Sequence, residues 1–203
     1  MYVPGPASRV PPPPSEREHL AGKTAPYTLL EVAAGSGYHA SVLAPTLEHV
    51  QWLPTDGDPA NMPSLELWTR DHPDRILPPA IVDVATAGPG DWNLPSSAPP
   101  VGAMLCINMT HIAPWSATMG LLHAAADLLA PDGLLFIYGP FKVYGAVEPE
   151  SNARFDAALR AKDPEWGYRE VADIIQEANT LGLTLEEQRD MPANNLMLIF
   201  RHG

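Results

Sequence analysis

The densest chemical signal is Glu31-Val32-Ala33-Ala34-Gly35-Ser36-Gly37, which directly follows a short apolar run. Glycines there let the backbone turn sharply and come close to a ligand, while a following helix presents free N–H groups. Gly35, Gly37 and Ala40 also satisfy G-x-G-x-x-A, so a dinucleotide has to be considered. Asp56 closes a second apolar run, where a carboxylate can accept both hydroxyls of an adenosine ribose. Asp58 competes for that role, and one of the two can instead cap the turn before Pro59. Asp83 ends a third run, within reach of an adenine amino group. Glu31, Asp56 and Asp83 at three adjacent strand ends suit a ligand with positive charge and many donors. They suit a pyrophosphate poorly, because the carboxylates repel it. The balance favours S-adenosylmethionine, whose sulfonium and ammonium are both cationic.

Asn108-Met109-Thr110-His111 follows a fourth run. Carboxyl ends of strands line the ligand crevice of doubly wound sheets, so Asn108 and His111 fall near any chemistry. His111 titrates near neutrality and can serve as a general base, or as a structural imidazole bonded to backbone. Trp115 and Trp92 read as core or pocket wall. Tyr138 and Lys142 have Tyr-x-x-x-Lys spacing, but Gly139-Pro140 between them forbids the helix that a dehydrogenase needs. No metal-ligand spacing, nucleophile elbow or phosphate-binding loop is present, so no metal is expected.

The elements that must position these residues alternate. Strands are predicted at Tyr27–Val32, Val50–Thr55, Ala80–Val84, Gly102–Asn108 and Leu134–Tyr138. Helices are predicted at His39–Leu47, Ser64–Arg70, Ser116–Leu129, Ser151–Lys162 and Arg169–Leu181, with a turn at Pro131-Asp132-Gly133. Thr184–Asp190 and Asn195–Phe200 read as a terminal antiparallel pair. The fold expectation is an α/β, doubly wound, Rossmann-like sheet, mostly parallel, ending in an antiparallel hairpin.

With 203 residues the chain fits one domain of residues 27–203 behind a proline-rich arm of residues 1–26. The arm holds Pro11 to Pro14, and Ser15 with Glu18 has capping-box spacing for a short helix. A formal charge of −12, with no Lys/Arg cluster, disfavours nucleic acid and leaves a small molecule as the expected partner. The lone cysteine, Cys106, and the absence of a long apolar span point to a reducing, cytoplasmic setting without a membrane. A homodimer stays open.

Six blocks, LEVAAGSGYHA (30–40), QWLPTDGDP (51–59), LCINMTHIAPW (105–115), LLFIYGPF (134–141), SNARFDAALRAKDPEWGYRE (151–170) and MPANNLMLIFR (191–201), resemble the domain of unknown function 938 family, of the methyltransferase-like protein 26 type. The resemblance runs from Leu29 to Arg201. It implies a class I S-adenosylmethionine-dependent methyltransferase fold of seven strands. By that resemblance Glu31 and the turn Ala33–Gly37 would hold the methionine moiety, Asp56 the ribose, Asp83 with Val84 the adenine, and the Asn108 backbone the methionyl amine. Asn152, Arg154, Asp156, Asn194 and Asn195 lie inside its blocks, and either line an acceptor pocket or tie helices to the hairpin. Family members begin with an Arg/Asn-rich stretch and a full helix; here Ser15-Glu16-Arg17 resembles a remnant, which implies an open site, a lid from the arm or a second subunit, or a changed activity.

Three readings follow. The first is a methyltransferase acting on a small-molecule N, O or S nucleophile, with His111 and Tyr138 at the chemistry and Tyr38, Asn152, Arg154 and Asn194 around the acceptor. The second is a cofactor-binding enzyme that catalyses cyclisation or rearrangement. The third is a non-enzymatic protein that docks through its proline arm.

Overall fold

In the computed structural model, which describes residues 25–203, the apolar run Tyr27–Val32 forms β1 with every residue buried. A strand apolar on both faces belongs at the centre of a parallel sheet. Here β2 (Val50–Asp56) pairs in parallel on one side of β1 and β4 (Val101–Ile107) on the other. β3 (Ala80–Ile81) lies outside β2, and β5 (Leu129–Gly139) beyond β4. The hairpin β8 (Leu183–Met191) and β9 (Asn195–His202) closes the far edge, giving the order β3-β2-β1-β4-β5-β9-β8. β9 runs antiparallel to both β5 and β8. This is the expected doubly wound α/β sheet. The chain reverses direction of winding between β1 and β4, which puts the ligand crevice at their carboxyl ends.

Alternate residues of β1 feed two cores, one on each face of the sheet. Leu30 and Val32 pack with Leu121, Ala125 and Ile174 of helices α3 (Trp115–Leu128) and α5 (Val171–Thr180). Tyr27 and Leu29 pack with Ala40 and Leu43 of α1 (Tyr38–Leu43), together with Trp52 and Phe136. Helices α2 (Met62–Asp71) and α4 (Glu150–Lys162) complete the set. Cys106 is wholly buried, and desolvation pushes its thiol up to about 12.

The structure departs from the sequence reading in four places. The third strand stops at Ile81, because Pro78-Pro79 withhold donors on one side and Asp83 starts a turn on the other, its side chain accepting from Ala85 N–H. Pro131-Asp132-Gly133 does not separate helix from strand: β5 already begins at Leu129, and the register jumps from Val101↔Leu129 to Ala103↔Leu134. The intervening residues bulge, with Asp132 at φ 61°. The first helix ends at Leu43, where Pro45 turns the chain into a 3-10 turn over Ala44–Thr46. The last helix starts at Val171 because Arg169–Glu170 forms a short strand, β7, paired with β6 (Phe141–Lys142). The expectations for the proline arm and the Ser15–Glu18 turn fall on residues 1–24, outside the described residues.

α3 is seated on the crevice by one glycine. A Cβ at Gly120 would lie 1.8 Å from the carbonyl oxygen of Val84, so helix and loop touch backbone to backbone. Gly120→Ala is therefore expected to destabilise the protein by about 3 kcal/mol, the upper range for overpacking, in urea denaturation. A loss under about 0.5 kcal/mol would show that the contact does not set the position of Val84.

Candidate active site at the carboxyl edge

The glycine turn follows β1 with three alternate residues in the left-handed region: Ala33 at φ 56°, Gly35 at 58° and Gly37 at 75°. Gly37 is needed for closeness, since a Cβ there would meet Trp68 at 2.7 Å and Leu65 at 2.8 Å. Gly35 differs: its missing Cβ would meet nothing within 4 Å, so the turn opens onto space there. Ala33 holds the same conformation with a side chain, a strain of about 1 kcal/mol of the kind that collects at binding sites. The turn is braced from both sides. Ser36 O accepts from Ser64 Oγ (2.7 Å) and Trp68 Nε1 (3.0 Å), and Gly35 N–H donates to Asp56 Oδ2 (2.7 Å).

The three strand-end acids have three different environments. Glu31 is 1 % exposed, with Oε2 accepting from Trp52 Nε1 (2.7 Å) and Oε1 lying 3.1 Å from His39 Nδ1. It meets protein partners and braces the turn from beneath. Asp56 is 7 % exposed and accepts from Gly35 N–H at Oδ2 and from Asp58 N–H (2.8 Å) and Asn61 Nδ2 (3.0 Å) at Oδ1. A carboxylate offers about four acceptor positions, so about one remains for a ligand hydroxyl rather than the two of a bidentate grip. Asp58 caps the turn before Pro59 by accepting from Ala60 N–H. Asp83 is exposed. It stands beside Asp56: Val82 N–H donates to Asp56 O, and Gly57 lies against Val82 and Asp83. The row of carboxylates is thus one buried brace, one partly engaged acceptor and one open charge.

The other half of the edge is aromatic. Asn108 follows β4 in the left-handed region at φ 60°, its N–H donating to Tyr138 O. A Cβ at Gly139 would touch both Asn108 Oδ1 and His111 Nδ1, at 3.7 and 3.5 Å, so Gly139 makes room for the two polar atoms to converge. His111 is 5 % exposed, its Nδ1 makes no hydrogen bond, and its ring meets Phe155 and Tyr168 edge-on, both at 6.1 Å. Burial first, and the charge of Arg169 second, hold His111 down at about 4. It is neutral at pH 7 and a weak base. Tyr138 Oη accepts from Asn195 Nδ2 (2.9 Å), which leaves its own proton to donate elsewhere.

Of the expected acceptor residues, Asn152 and Asn194 are brought together, with Asn152 Nδ2 3.4 Å from Asn194 O, so they tie α4 to the hairpin turn beside Tyr138. Asp156 likewise serves structure, accepting from Arg160 and from Tyr168 N–H. Arg154 is not with them: it pairs with Glu150 on the outer surface of α4, 69 % exposed. Tyr38 sits at the start of α1, on the glycine-turn side. Sequence reasoning missed Trp68, Phe155 and Arg169. Arg169 donates to the carbonyls of Thr110, Ala113 and Glu165 and lies 5.9 Å from the Trp115 ring, clamping the loop that carries His111. Among the described residues no group of His, Cys, Asp and Glu could hold a metal ion, and no helix is long and apolar enough to cross a membrane.

The chain belongs to the family described as protein of unknown function (DUF938), which matches residues 16–202. Its fold is similar to that of an O-methyltransferase family protein from Burkholderia thailandensis, at 13 % identity over 93 % of this chain and 55 % of that one, with TM-score 0.74. It is similar to the S-adenosylmethionine-dependent methyltransferase SibL, at 17 % identity over 91 % of this chain and 53 % of that one, with TM-score 0.68. An O-methyltransferase family 2 protein from Planctomyces limnophilus, solved with apigenin, matches at 17 % identity over 89 % and 51 %, with TM-score 0.71. This chain spans about half the length of these proteins. The likeness shows a methyltransferase fold.

The buried neutral imidazole has a pH signature. As pH falls below the ordinary histidine value of 6.5, the unfolded chain takes up a proton at His111 while the folded protein refuses it until about 4. Stability present above pH 6.5 is lost progressively between 6.5 and 4, on the order of 3 kcal/mol in all. Subtracting the pH profile of His111→Phe from that of the parent in urea denaturation isolates this contribution. A flat difference would contradict the buried, unpartnered ring.

Proposed function

We propose that this member of the DUF938 family is an S-adenosylmethionine-dependent methyltransferase acting on a small molecule through an N, O or S nucleophile. The observation that carries the reading is the braced glycine turn at the switch point of the sheet, which opens at Gly35 onto space at the carboxyl edge. The donor set fits the cofactor. The turn Ala33–Gly37 would take the methionine moiety from above Glu31, Asp56 one ribose hydroxyl, Asp83 with Val84 the adenine, and the strained Asn108 the methionyl amine. When bound, S-adenosylmethionine supplies an electrophilic methyl group on a cationic sulfur.

What this chain's own residues contribute is position and desolvation. His111 stays neutral and would orient the acceptor from the aromatic wall it forms with Phe155 and Tyr168 rather than strip its proton at full strength. Tyr138 donates its hydroxyl proton to the same region, held in place by Asn195. Phe155 and Tyr168 keep that side apolar. The acidic protein as a whole favours a small acceptor over a phosphate backbone.

Gly35→Ala tests this reading, because its new methyl group points into the proposed cofactor space without touching protein. Calorimetric titration should show S-adenosylhomocysteine binding to the parent and at least about tenfold weaker binding to the variant, for a stability loss of only about 1 kcal/mol. Asp83→Ala should weaken binding for a stability loss of about 1 kcal/mol, the cost of the hydrogen bond its side chain accepts from Ala85 N–H. Absence of binding to the parent, or equal binding to Gly35→Ala, would overturn the reading.

A further inference from the structure

A pocket of about 340 Å3 lies where β6, β7, and the starts of α3 and α5 meet, lined by Trp115, Lys142, Tyr168, Arg169, Glu170 and Asp173. Its volume matches the lower range of small-ligand sites. The charges around it are unequally committed. Both carboxylate oxygens of Glu170 accept backbone N–H groups, from Tyr144 (3.0 Å) and Gly145 (2.9 Å), which hold the 144–145 turn. Arg169 uses Nε and Nη2 on three carbonyls and leaves the Nη1 edge without a hydrogen bond among the described residues. Lys142, whose backbone partner in the β6–β7 pair is Glu170, forms no ion pair among the described residues. Other surface arginines, such as Arg154, Arg189 and Arg201, are each matched with a carboxylate. Lys142 and Arg169 line the pocket without an ion pair among the described residues, and Asp156, the acid that acts on both, is itself bound to Arg160 and Tyr168 N–H. Asp173, exposed in the first turn of α5, is the remaining acid and can accept from a donor on a ligand.

Two aromatic walls accompany these charges. Trp115 is partly exposed and held by Arg169, and Tyr168, 3 % exposed, contacts His111 on one side and lines the pocket on the other. We infer that this pocket takes an aromatic carboxylate, with the ring against Trp115 and the carboxylate between Lys142 and Arg169. The shared Tyr168 makes the ligand a candidate acceptor, and only in that role does the inference rest on the methyl-transfer reading.

The test is calorimetric titration of the S-adenosylhomocysteine-loaded protein with para-hydroxybenzoate and with para-hydroxybenzamide, which differ in charge and hardly in shape. The acid should bind at least about tenfold more tightly than the amide. Lys142→Gln should abolish that preference, Lys142→Arg should retain it, and Trp115→Leu should weaken both ligands. Equal affinity for acid and amide in the parent, or a preference that survives Lys142→Gln, overturns the inference. A titration with S-adenosylhomocysteine alone separates the two proposals. Cofactor binding without acid preference sinks the pocket assignment only, and acid preference without cofactor binding sinks the methyl-transfer reading only.

Discussion

One contact organises the carboxyl edge: the Gly35 N–H held at 2.7 Å by the Asp56 carboxylate. It joins the turn after β1 to the end of β2, and the same carboxylate gathers Asp58 N–H and the Asn61 side chain. A largely buried carboxylate with three donors is well satisfied, and a charged acceptor makes each of those bonds stronger than its neutral counterpart. The left-handed backbone at Ala33, Gly35 and Gly37 can persist because Asp56 on one side and Trp68 and Ser64 on the other over-determine it. Without that bracing the turn would relax into the space at Gly35 and the crevice would lose its shape.

The edge then divides at β1 and β4. Toward β2 and β3 it is acidic and glycine-rich. Toward β5 and β9 it is aromatic, with His111 and Asn108 converging over Gly139 and Tyr138 held by Asn195. α3 spans the two halves, with Gly120 pressed on Val84 and Trp115 under Arg169. A sheet that winds in both directions from its centre brings these chemically unlike halves side by side.

Most of the sheet was legible because its strands are continuous apolar runs closed by glycine, proline or aspartate, as at Tyr27–Val32 and Val50–Asp56. The glycine turn was legible for the same local reason. What escaped was whatever depends on distant partners. Glu31 reads as a ligand-facing acid until Trp52, 21 residues on, supplies the N–H that engages it. Arg154 and Asn152 are two residues apart in one signature block, yet one faces outward to Glu150 and the other meets the hairpin turn. The β6–β7 pair is two residues long and has no periodicity to read, although it places Lys142 and Arg169 at one pocket. Phe155 lies within a helical pattern, and its contacts with His111 and Tyr168 come from residues 44 and 13 positions away in the chain.

The central claim is that the strained bend after the first strand receives an adenosyl cofactor. The most direct measurement is an amide NMR titration of the full chain with S-adenosylhomocysteine. The account predicts saturable shifts at Gly35, Ser36, Asp83 and Asn108, with Gly145 and Gly182 unmoved. Shifts that bypass Gly35, or none at any ligand concentration, would contradict it.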